Sequence, residues 1–135
     1  MESRVQKALE LHQKGYNCAQ AVVCAYCDLL GMDEETAYRA SEAFGLGMGQ
    51  MEVCGALSGA CMLAGWKNSG GLSAVGRTKA ETYKLDRLLG EAFRKKNQSI
   101  LCRELKGVKS GKVLRSCPGC VEDAARLVET YLLNE

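Results

Sequence analysis

Proline and histidine are nearly missing from this 135-residue chain, which has one of each, and aromatic residues make up only 6% of it. With one proline there is no second one to form the cis-proline loop of a thioredoxin-type site. With one histidine, His12, any Cys-His catalytic pair depends wholly on that residue. So few aromatics interleave the charged residues that single-stranded nucleic acid is a poor partner, and no nucleic-acid role is expected. Long apolar runs are absent too: the most apolar stretch, residues 53–66, carries Cys, Ser and glycines. A membrane span needs about 20 apolar residues, so no membrane role is expected.

Cysteine, by contrast, is plentiful. The eight cysteines are about 6% of the chain, below the roughly 8–10% that marks a disulfide scaffold. A domain of this length builds a sufficient core without staples. No basic segment leading into an apolar run opens the sequence, so the expected compartment is the reducing cytoplasm, with the thiols free for chemistry.

Apolar residues recur at helical spacing in almost every segment, glycines punctuate them, and nothing alternates like a strand. The expectation is an all-α fold, one compact bundle of about six to seven helices over residues 1–135. Val5, Ala8, Leu9 and His12 mark a first helix ended by Gly15. Asn17 caps a second, from Cys18 to about Leu30, ended by Gly31; Asp33 caps a third, with Ala37, Ala40, Ser41 and Phe44 inward. A glycine-rich loop, Gly45 to Gly49, leads to a fourth helix from about Glu52 to Ala64. On it Gly55 and Gly59, with Ala56 and Ala60, form a small-residue ladder that lets another helix come close, within the chain or in a homodimer. Thr78 and Glu81 suggest a capping box for a fifth helix, a short helix follows Ser99, and Val121, Ala124, Ala125, Val128, Tyr131 and Leu132 line the last.

Charge is uneven. Residues 77–115 hold twelve Lys and Arg against four acids. Lys79, Lys84, Arg87, Arg94, Lys95 and Lys96 are read as the solvated face of the fifth helix, with an anion-binding surface as the alternative.

The most informative local motif is Cys117-Pro118-Gly119-Cys120, two thiols one turn apart where a helix begins. Pro118 at the first helical position makes Cys117 the cap, where orphan N–H groups and the positive helix end favour thiolate. Cys117 is then a candidate nucleophile and Cys120 the resolving thiol, with metal ligation or inert burial as the other readings. Cys18 and Cys102 also stand at helix starts. Cys24 and Cys27 lie inside an apolar helix and read as core, while Cys54 and Cys61 are too far apart along one helix to bond each other. Val121 after Cys120 excludes a c-type haem motif, and no tight ferredoxin-like cysteine run is present. The glycine-rich loop has no strand before it and no Gly-Lys-Ser/Thr after it, which favours a tight connection over a phosphate cradle.

Asn17-Cys18-Ala19-Gln20, then Cys54-Gly55-Ala56-Leu57-Ser58-Gly59, then Cys102-Arg103-Glu104-Leu105, then Cys117 and Cys120 follow in order over nearly the whole chain. This series resembles a bacterial and archaeal family of redox-active proteins named for its C…CGAxxG…C…C pattern. The resemblance implies four family cysteines, here Cys18, Cys54, Cys102 and either Cys117 or Cys120. Cys24, Cys27 and Cys61 fall outside it. Two uses of converging thiols follow. One is thiol–disulfide exchange or electron transfer through Cys18, Cys54, Cys102, Cys117 and Cys120, with a redox partner protein or a small thiol or disulfide, as in a thiol–disulfide oxidoreductase. The other is a zinc or iron–sulfur site on Cys18, Cys54, Cys102 and Cys117.

Overall fold

In the computed structural model, which describes residues 2–134, the chain is all-α. Its helices are α1 (Val5–Gln13), α2 (Cys18–Tyr26), α3 (Glu34–Ser41), α4 (Gly55–Asn68), α5 (Lys79–Asn97), α6 (Cys102–Leu105) and α7 (Cys117–Tyr131). Among the described residues the only extended pairing is an isolated antiparallel bridge between Val53 and Leu101.

Helix α2 is the axis of the bundle. Every residue from Cys18 to Tyr26 is buried, as expected for a short helix that is apolar all round. Helices α1, α3, α4 and α7 pack on it, and α5 covers the far side of α4. The core is built from Val22, Val23, Tyr26, Leu63, Leu89, Phe93, Val121 and Val128, each fully enclosed. Tyr26 sits in this core because its hydroxyl donates to Glu129 Oε2 at 2.5 Å, on α7.

Local signals set most of the boundaries. Asn17 forms a full capping box with Gln20, Asp33 accepts from the Thr36 N–H, and left-handed Gly31 closes the single 3-10 turn that extends α2. Two expected caps differ. Thr78 precedes α5 but its hydroxyl accepts from the Gly70 N–H, and Glu81 pairs with Lys84, so no capping box forms. Ser116, not Cys117, caps α7 by accepting from the Gly119 N–H, which puts Cys117 inside the helix as its first residue. Helix α4 starts at Gly55, later than the pattern suggests, because Glu52 to Cys54 run extended along residues 100–102.

The small-residue ladder is used within the chain. Gly55, Ala56, Gly59 and Ala60 are all buried, and a Cβ on Gly59 would stand 2.9 Å from the Ala19 carbonyl of α2. The six basic residues on α5 are exposed, which is the solvated face expected. Lys96 alone reaches inward, to Asp123 of α7. No helix of the described residues is long and apolar enough to cross a membrane.

Candidate functional site

Cys18 is the first residue of α2, Cys54 immediately precedes α4, Cys102 opens α6 and Cys117 opens α7. All four helix starts meet at one cavity of about 190 Å³. Cys18, Cys54, Cys102, Cys117 and Cys120 line it together with His12, Lys106 and Arg115, and no carboxylate does. All five site cysteines named from the sequence therefore come together. The three outside the family pattern do not. Cys24 and Cys27 are buried in the core, where burial pushes the Cys24 thiol up to about 12. Cys61 faces α5, and burial followed by the nearby Asp86 pushes it up to about 12.

Glycine makes the convergence possible. A Cβ on Gly55 would lie 2.5 Å from Cys18 Sγ and 2.6 Å from the Phe44 carbonyl, so only glycine lets α4 begin against that sulfur. Before it the chain doubles back through left-handed residues at Leu46, Gly47, Met48, Gly49 and Met51, and the Glu52 N–H donates to the Gly47 carbonyl at 3.0 Å. The glycine-rich segment is thus the tight connection expected, and it aims the Leu46 N–H at Cys18 Sγ. Gly45 is required as well, since a Cβ there would overlap Asn17, whose Nδ2 donates to the Glu42 carbonyl. The Val53–Leu101 bridge carries the next step: the Cys54 N–H donates to the Ile100 carbonyl at 2.7 Å and the Cys102 N–H to the Glu52 carbonyl at 2.6 Å. Those two bonds hold Cys54 and Cys102 side by side across 48 residues of chain.

Sulfurs meet in two pairs. Cys117 donates to Cys18, and that hydrogen bond, with the N–H groups of Leu46, Ala19 and Cys18 itself, brings the Cys18 thiol down to about 6 against the opposing effect of burial. The same bond, then burial, pushes Cys117 up. Cys120 donates to Cys54 in the same way: Cys54 is lowered by that bond, assisted by the Leu57 and Ala56 N–H groups, and Cys120 is raised. Cys102 is raised by burial. The thiolate expected at Cys117 from its helix start thus falls on Cys18: both sulfurs stand at helix starts and share one hydrogen bond, but backbone N–H groups of Leu46, Ala19 and Cys18 reach Cys18 alone of the two. Among the described residues no group of three or more His, Cys, Asp or Glu side chains is placed to hold one metal ion.

His12 Nε2 lies 3.5 Å from Cys117 Sγ, and burial lowers its pKa, so the imidazole at neutral pH is the uncharged form that accepts a proton. The sequence groups His12 with Val5, Ala8 and Leu9 of the first helix and makes it the residue on which any Cys-His pair depends, but its place beside Cys117 was not legible there. The largest omission is Asp123. Its side chain is 3% exposed and receives Arg115 Nε at 3.0 Å, Arg115 Nη2 at 3.1 Å, Asn97 Nδ2 at 3.1 Å and Lys96. Gly119 lets the guanidinium lie across the first turn of α7, where a Cβ would stand 2.5 Å from Arg115 Nε. This network fixes the start of α7, hence Cys117 and Cys120, to α5. The signal was present: an acid beside the apolar stripe of the last helix is an acid that must be paired.

A family model described as "Putative redox-active protein (C_GCAxxG_C_C)" matches residues 16–131, which include all five cavity cysteines. No curated protein and no solved structure matches the chain.

Proposed function

The chain belongs to the C_GCAxxG_C_C redox-active family, and from that premise we propose that it is a dithiol oxidoreductase of the reducing cytoplasm that acts on small disulfides. The observation that carries this reading is the meeting of Cys18 and Cys117 at one cavity, with His12 Nε2 3.5 Å from Cys117 Sγ, and the backbone N–H groups at Cys18 favour its thiolate. Cys18 is 6% exposed, which favours a small substrate entering the cavity over a protein surface reaching the sulfur.

The Cys18 thiolate attacks one sulfur of a disulfide RSSR; the S–S bond breaks, RS⁻ leaves, and a Cys18–S–S–R mixed disulfide forms. Cys117 then attacks Cys18 Sγ as its proton passes to His12, and the second RS⁻ departs. Cys18 and Cys117 are oxidised by two electrons and RSSR is reduced by the same two. Stabilising the thiolate serves both attack in this direction and departure in reverse, so the same site can also deliver a disulfide to a dithiol.

Zinc or an iron–sulfur cluster on Cys18, Cys54, Cys102 and Cys117 needs three or four sulfurs about one point. Two facing pairs with no such grouping support dithiol chemistry instead. Protein purified without oxygen, analysed for metal and titrated with 2-hydroxyethyl disulfide, tests the reading. The expected result is no stoichiometric metal, reversible loss of thiols in pairs, and a Cys117→Ser variant that stops at the mixed disulfide on Cys18. Stoichiometric zinc or iron shielding the site thiols, or no probe-dependent thiol loss, overturns it.

A further inference from the structure

Once Cys18 and Cys117 are assigned to the substrate, a second pair of facing thiols is left over in the same cavity. Cys54 is 5% and Cys120 3% exposed, and they share a hydrogen bond of their own. Cys117 is the one cavity cysteine that is only half-buried. Cys120 follows it by one turn of α7, and helix geometry at that spacing puts the two Cα atoms about 5 Å apart, inside the range that a disulfide spans. Cys117 therefore touches the outer pair through Cys18 and neighbours the inner pair through Cys120.

We propose that Cys54 and Cys120 are an internal dithiol oxidised only by way of Cys117, so that the site stores four electrons and refills its outer pair from within. The proposal rests on the dithiol reading of Cys18 and Cys117. The transfer takes two exchanges. Cys120 attacks Cys117 Sγ in the Cys18–Cys117 disulfide as its proton passes to Cys54; a Cys117–Cys120 bond forms and Cys18 leaves as thiolate. Cys54 then attacks Cys120 Sγ and Cys117 departs, taking up the proton that Cys54 gives up. The outcome is a Cys54–Cys120 disulfide, a Cys117 thiol and a Cys18 thiolate: the outer pair has gained two electrons and the inner pair has lost them. Cys18 is the group whose surroundings favour it as a leaving thiolate. A second RSSR can then react at the regenerated outer pair.

The test is a timed oxidation of the anaerobic protein with 2-hydroxyethyl disulfide, quenched by alkylation and mapped by peptide mass. With one equivalent, Cys18–Cys117 is expected first and Cys54–Cys120 afterwards at its expense; with excess probe both disulfides are expected together. In Cys117→Ser the formation of Cys54–Cys120 should slow by at least about tenfold, since Cys120 then has no disulfide at Cys117 to attack. The wild-type time course does not depend on how that variant folds. A Cys18–Cys117 disulfide that persists while Cys54 and Cys120 stay reduced in excess probe overturns the relay and leaves the outer dithiol standing. Formation of Cys54–Cys120 as fast in Cys117→Ser as in wild type also overturns it. If neither disulfide ever forms, the dithiol reading falls and the relay with it.

Discussion

Replacing Gly55 by alanine puts one methyl group where α4 meets α2, 2.5 Å from Cys18 Sγ, 2.6 Å from the Phe44 carbonyl oxygen and 3.1 Å from Gly45 Cα. Two of those three atoms are backbone, so the strain cannot be relieved by turning a flexible side chain. Either the start of α4 lifts off α2 or Cys18 Sγ swings away from Cys117. Overpacking of this kind costs about 1–3 kcal/mol. For a domain of this size that lowers Tm by roughly 5–10 °C. Displacement of the sulfur also weakens the hydrogen bond that holds Cys18 near 6. At pH 7 a thiol at about 6 is roughly nine-tenths thiolate, whereas one at the ordinary 9.0 is roughly one-hundredth. Calorimetry and the pH profile of iodoacetamide labelling at Cys18 read the two effects separately. Gly90→Ala is the control: a Cβ there meets nothing within 4 Å inside α5, and the change should stabilise by about 0.5–1 kcal/mol. A Gly55→Ala protein as stable as wild type, with an unmoved labelling profile, refutes the argument that glycine is required for the sulfur.

Labelling of Cys18 in the wild type should rise with pH through a midpoint near 6, and in Cys117→Ala that midpoint should move upward because the donated hydrogen bond is gone. Asp123→Ala leaves Arg115 and Lys96 without their shared carboxylate, and should cost about 3 kcal/mol in chemical denaturation, the low end for breaking a buried pair. Burial alone would raise the Asp123 pKa, but hydrogen bonds from Arg115, Lys96 and Asn97 hold it below the usual carboxylate range. The stability it contributes is therefore complete above that range and is lost as pH falls below it, a slope that Asp123→Asn should abolish in acid unfolding curves. His12→Ala should slow closure of the Cys18–Cys117 disulfide from the trapped mixed disulfide while leaving the initial attack by Cys18 in place, as separated by stopped-flow and quenched mass spectrometry.

Much of the local structure can be read from short stretches because its causes are short-range. Asn17 and Asp33 cap helices through atoms three residues away, and Gly15 and Gly31 take left-handed conformations that other residues avoid. Thr78 and Ser116 show where this stops working: both are competent caps, but Thr78 is drawn off by Gly70, whereas Ser116 takes the position assigned to its neighbour Cys117. Which hydroxyl caps depends on where the chain comes from, a fact about approach rather than about the four residues involved.

At the site, residue types and order were enough to single out Cys18, Cys54, Cys102, Cys117 and Cys120, since thiols at helix starts and the Cys-Gly-Ala-x-x-Gly element stand out from a core composition. Their pairing was not. Cys18 lies beside Cys117, and Cys54 beside Cys120, through the closeness of α2 to α4 that Gly55 and Gly59 permit and through the Asp123 network that anchors α7. Helix-end electrostatics, which sequence does reveal, favour thiolate at each of these positions alike. Only the tertiary structure decides which thiol of a pair keeps the proton, because that choice rests on which sulfur the backbone N–H groups reach, as Leu46 reaches Cys18 from 28 residues along the chain.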